Sequence, residues 1–206
     1  YGKQELSTLS PALQTSGASG TEVIWRDCDR LCEGGDLLDT QFNALIAGAR
    51  RQLGLTFHRY LAGKHKRRVI LTLNKQALEE VNPIPTSNEA VQRSLVENVA
   101  VENRPKIKMT AYILPHYSKL SASDQEQLEG PEGMLRNQGF YVYRNDRLIH
   151  YGTWFQLLKH GELSQLVRVT IDLPNELDAE WKLTIDKSDV QLPQRYKQRI
   201  RDLLEK

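Results

Sequence analysis

Cysteine is scarce in this sequence: Cys28 and Cys32 are the only two among 206 residues. A tetrahedral zinc site normally takes four ligands, so a single C-x3-C pair predicts no metal centre. Stable disulfides belong to oxidising compartments, and two cysteines do not make a disulfide framework. We therefore expect reduced thiols in a cytoplasmic protein.

Long apolar runs and a dominant charge are also missing. No run approaches the ~20 apolar residues that a transmembrane helix needs, and no signal peptide is visible. The formal net charge is +2, from 28 Lys and Arg against 26 Asp and Glu, so net charge gives no argument for nucleic acid or membrane. The length suits one domain, or one domain plus a fragment. Because the chain starts at Tyr1, we expect a piece of a longer protein.

The motifs of common catalytic sites are absent as well. The sequence contains no G-x-x-x-x-G-K-S/T phosphate loop, no G-x-G-x-x-G, no H-E-x-x-H, no G-x-S-x-G and no C-x-x-C. Gly130 and Gly133 enclose Pro131, which removes an amide donor, so this turn is too short to hold a triphosphate. We expect no ATP hydrolysis by this chain alone.

One helix is clear from the pattern that is present. Apolar residues at helical spacing predict a helix over 40–62: Phe42, Leu45, Ile46, Ala49, Leu53, Phe57, Tyr60 and Leu61. Asp39 or Thr40 would cap it and Gly63 would end it. Gly54 inside the helix indicates a close packing contact. His58 is interpreted as a partly exposed helix residue.

Alternating or β-branched residues predict five strands, at 69–73, 107–113, 139–143, 168–173 and 181–185. The third strand, 139–143, leads into a predicted hairpin. Asn145 and Asp146 indicate its turn, because both residue types tolerate left-handed backbone conformations. A short helix is expected at 153–160 and a final helix after Pro193. Residues 86–105 have no clear period and are expected to form a loop or an irregular insertion. The predicted fold is α+β (mixed α/β), a mostly antiparallel sheet with the long and final helices on one face.

Several of these segments together resemble a known family. YVYRNDRLI at 141–149, GTW at 152–154, the D-L-P-x-x-L-D-x-x-W segment at 172–181 and IDKS at 185–188 are similar to the second domain of GHKL ATPases. That superfamily includes gyrase B, MutL and the MORC proteins, and the likeness is greatest to bacterial MORC-like members. GTEVIWRDCDRL at 20–31 resembles the segment where the ATP-binding domain meets this second domain, called the transducer. ILPHYSKLS at 113–121 also fits.

The resemblance implies a fold, a partner and a site residue. It implies the ribosomal-protein-like transducer fold over 31–206, preceded by a remnant of an ATP-binding domain at 1–30. The D-x-G-x-G element and the glycine-rich lid of a GHKL nucleotide site are absent, so ATP and magnesium would bind an upstream domain. In related transducers a lysine after the corresponding strand contacts the γ-phosphate, and here that lysine would be Lys187. The parent protein would be a dimeric ATPase in DNA-related work.

An alternative function rests on basic residues. Lys66 and Arg67 lie in a run of four cations within 64–68, and Arg144 and Arg147 flank the predicted hairpin tip. Such residues could bind nucleic-acid phosphates, but short basic runs and turn arginines are commonly solvated. The alternative is a freestanding nucleic-acid-binding or protein-interaction module. Likewise, Lys187 could be a solvated loop lysine between Asp186 and Asp189.

Overall fold

The computed structural model describes residues 39–63, 69–100, 105–182 and 190–204. Contacts divide the chain between Asn43 and Ala44, so all described residues belong to the second unit except 39–43, the start of the long helix. The domain boundary expected at residue 30 lies outside the described residues.

Four α-helices are present in the described part of the chain: α1 (Asp39–Thr56), α2 (His58–Leu61), α3 (Ala122–Glu129) and α4 (Gln194–Leu204). The helix predicted at 40–62 is confirmed, with a break at Phe57 between α1 and α2. Gly63 follows with a φ of +70°, a left-handed conformation that glycine adopts without steric cost. The close contact expected at Gly54 is also confirmed, because a Cβ there would lie 2.7 Å from the carbonyl oxygen of Glu79.

In the described part of the chain the main sheet has six strands: β3 (Gln92–Arg93), β4 (Glu97–Val99), β5 (Ile107–Ile113), β6 (Gly139–Arg144), β7 (Arg147–Thr153) and β8 (Val167–Leu173). Five of them lie in the order β3-β5-β8-β6-β7, and β4 also pairs with β5. The pair β6 and β8 is parallel, whereas β3–β5, β4–β5, β5–β8 and β6–β7 are antiparallel. The α+β class with a mostly antiparallel sheet is thus confirmed, as are the strands predicted at 107–113, 139–143 and 168–173.

The predicted hairpin is confirmed and follows from its turn residues. Asn145 and Asp146 have φ values of +48° and +61°, the geometry of a type I′ turn, whose twist matches that of the flanking strands. Asparagine and aspartate tolerate this region better than other non-glycine residues.

The strand predicted at 69–73 is not part of the main sheet. Only Thr72–Leu73 (β1) is extended, and it pairs with Gln76–Ala77 (β2) in a separate two-stranded hairpin. Ile70 is 65% exposed, so its apolar character does not reflect burial in a core. Conversely, part of the segment expected to be irregular, 86–105, forms β3 and β4, because β5 offers an edge whose backbone groups they satisfy.

The two long helices lie on opposite faces of the sheet, which corrects the prediction of one covered face. Successive strand residues point to opposite faces, and the core divides accordingly. Phe140 and Val142 belong to the cluster that contains Tyr196 and Ile200 of α4. Tyr141 and Tyr143 pack instead with Leu55 of α1. A third cluster holds Leu128 of α3.

Two further predictions fail or go untested. The helix expected at 153–160 is wrong: Phe155 and Gln156 have φ values of +49° and +62°, which a right-handed helix excludes. For the strand predicted at 181–185, Trp181 and Lys182 lie in a turn and 183–185 lie outside the described residues.

Candidate functional site

Lys187 lies outside the described residues, but the structure describes the chain on both sides of it, up to Lys182 and from Val190. The backbone N–H of Gln191 donates to the carbonyl oxygen of Trp181 over 3.1 Å. The described residues on the two sides of 183–189 are therefore linked directly to each other.

Both flanks are anchored by burial. Trp181 is fully buried, and Val190 and Leu192 are almost so. The Trp181 ring packs against the ring of Tyr196 in α4, with 5.7 Å between centroids. Large buried aromatic rings contribute strongly to local rigidity through their contact area. The described residues on both sides of 183–189 thus belong to the same core cluster as Tyr196 and Ile200 of α4.

Arg144, a candidate for nucleic-acid contact, is paired within the protein. Its Nε donates to Oδ1 of Asp178 over 2.6 Å, and its Nη2 lies 2.5 Å from Oδ2. This two-point geometry is the strong form of an arginine–carboxylate pair. The ion pair connects the end of β6 to Asp178, three positions before Trp181. It therefore also stabilises the chain that leads to the segment with Lys187.

Arg147, on the other side of the hairpin tip, packs on Phe57 at the break between α1 and α2. Its guanidinium carbon lies 5.5 Å from the centroid of the Phe57 ring, and its Nε is buried. Lys66 and Arg67 lie outside the described residues. Of the four predicted nucleic-acid contacts the structure places two, Arg144 and Arg147, and both of these contact other residues of the protein.

The hairpin tip is held by α2. Nη1 of Arg59 donates to Oδ1 of Asp146 over 3.1 Å and also to Oδ1 of Asp172 at the end of β8. Its guanidinium carbon lies 3.4 Å from the centroid of the Tyr143 ring, a close cation–π contact. The hydroxyl of Tyr60 donates to the carbonyl oxygen of Asn145.

His58 is buried, so its interpretation as a partly exposed residue is wrong. Only 4% of it is exposed, because α2 turns this ring towards the sheet. Nδ1 lies 2.7 Å from the carbonyl oxygen of Leu55, which can only accept, so Nδ1 carries the proton. Nε2 then accepts from the Tyr143 hydroxyl 3.3 Å away. Burial lowers the pKa of His58 to about 4 and raises that of Tyr143, so both are neutral at pH 7.

His58, Arg59 and Asp146 line a cleft of about 420 Å³ between α2, residues 82–86 and the sheet. Its sheet wall includes Tyr112, Tyr143 and Thr170. The sequence contains a signal for this polar face of the sheet that the prediction of strands did not use. In β8 the polar residues Arg168, Thr170 and Asp172 alternate with apolar ones, which places them together on the α1 face.

Arg168 is an unusual member of this face. It is fully buried, and its Nη1 donates to the carbonyl oxygens of Gln165 and Val167 over 2.7 and 3.0 Å. Burial lowers its pKa. The two carbonyl oxygens accept part of the hydrogen bonds that the guanidinium can donate. The Arg168 side chain thus connects β8 to the loop that precedes it.

Within the described ranges, no cluster of three or more His, Cys, Asp or Glu residues could hold a metal ion. Nor does any helix in the described part of the chain have the length and apolar character to cross a membrane. No protein-family model matches the chain, and no curated protein or solved structure is significantly similar to it.

Proposed function

We propose that this chain is the non-catalytic transducer domain of a GHKL-type ATPase of the bacterial MORC-like kind. In this proposal an upstream domain binds ATP and magnesium, and the chain supplies Lys187 to the γ-phosphate. It would couple nucleotide binding and hydrolysis to conformational change in a dimeric, cytoplasmic, DNA-related protein.

One observation carries the proposal. The residues on the two sides of the segment with Lys187 are linked directly, because the backbone N–H of Gln191 donates to the carbonyl oxygen of Trp181. Functional side chains are often presented on connecting segments that a rigid scaffold positions. The pair of Arg144 and Asp178 links the chain just before Trp181 to the hairpin, whose sequence is one of the motifs that carry the family resemblance.

The chemistry of lysine fits this role. Phosphoryl transfer is catalysed mainly by positioning and by stabilising charge on the transferred group. Lysine is a point charge on a long flexible stem, so it can reach a phosphate held by a neighbouring domain. It gains this partner only when the triphosphate is bound, and it can therefore report the nucleotide state.

The test is Lys187→Ala in the longer protein that contains the upstream domain. We expect turnover to fall by a factor equivalent to about 2–4 kcal/mol, the effect of losing one strong transition-state contact. The affinity for ATP should change less, because the upstream domain holds adenine and the other phosphates. Steady-state ATPase rates together with nucleotide titrations separate the two effects.

Lys159→Ala is the matched control, because it removes the same charge from an exposed position far along the chain from Lys187. It should leave turnover unchanged. Wild-type turnover in Lys187→Ala would mean that Lys187 is a solvated residue. An upstream coding sequence without a GHKL nucleotide-binding domain would contradict the whole class assignment, independently of Lys187.

A further inference from the structure

We draw no further inference here: the strongest candidate, the cleft between α2 and the polar face of the sheet, carries none because the guanidinium of Arg59 in its wall is already paired with Asp146 and Asp172, which leaves no unmatched charge among its described lining residues to define the chemical class of a ligand.

Discussion

Two glycines in α1 give a sharp test of the packing between this helix and the chain that follows it. A Cβ at Gly54 would lie 2.7 Å from the carbonyl oxygen of Glu79 and 3.0 Å from Cγ2 of Val81. A Cβ at Gly48, in the same helix, would meet no atom within 4 Å. The same substitution, glycine to alanine, should therefore have opposite effects at the two positions.

The magnitudes follow from three contributions. Alanine is better than glycine in a helix interior by about 1 kcal/mol, and Gly48→Ala should gain most of this. At Gly54 the nearest atom is a backbone oxygen, which cannot move alone, so overpacking should cost ~1–3 kcal/mol. The shift would also weaken the 3.3 Å hydrogen bond from Val81 N–H to the Gly54 carbonyl oxygen, a bond worth about 1 kcal/mol. The net effect of Gly54→Ala should be a loss of ~1–3 kcal/mol.

Urea denaturation of the 206-residue chain, followed by far-ultraviolet circular dichroism, measures both free energies of unfolding. We expect a lower midpoint than wild type for Gly54→Ala and a higher one for Gly48→Ala, with similar slopes. If Gly54→Ala were as stable as Gly48→Ala, α1 would not be seated against Glu79 and Val81 as described, and the reasoning would fail.

Three further outcomes are expected. Burial lowers the pKa of His58 from 6.5 to about 4, so His58 binds a proton more tightly in the unfolded chain than in the folded one. The free energy of unfolding should therefore fall by roughly 3 kcal/mol as the pH drops from about 6.5 to about 4. His58→Gln should flatten that part of the pH–stability curve, and an unchanged curve would contradict the burial of His58. Gln156→Gly should stabilise the protein by ~0.5–1 kcal/mol by relieving a left-handed φ, whereas Gln52→Gly in α1 should destabilise it by about 1 kcal/mol; equal effects in thermal melts would contradict this. Calorimetry of the chain with ATP and magnesium should give no saturable heat at sub-millimolar affinity, and such a heat would overturn the assignment of the nucleotide site to another domain.

Local sequence was sufficient where structure depends on neighbours in the chain. The hairpin turn at Asn145 and Asp146 was predictable because few residues adopt two successive left-handed conformations. The strand at 107–113 and the C-terminal helix were predictable from their periods, since the period of apolar residues sets which side is buried. Gly54 indicated a close contact because a helix rarely keeps glycine without a packing reason.

The side-chain contacts at the candidate site could not be predicted from the sequence in the same way. The residues paired with arginine in the structure are far away in sequence: Arg59 and Asp172 are 113 positions apart, and Arg144 and Asp178 are 34 apart. The sequence around Arg59 and around Arg144 does not indicate which carboxylate each arginine pairs with. For this reason exposed, cationic side chains were expected at the hairpin tip, where the structure pairs Arg144 with Asp178 and buries the Nε of Arg147.

The sequence by itself therefore determined the long and the C-terminal helices, the strands at 107–113, 139–143 and 168–173, and how the hairpin turns. Only the tertiary structure decided that β8 lies parallel to β6, that α1 and α4 cover opposite faces, and that His58 is buried against Tyr143. The physical reason is that periodicity records which side of an element avoids water, whereas the partner that covers that side is selected by packing across the whole chain.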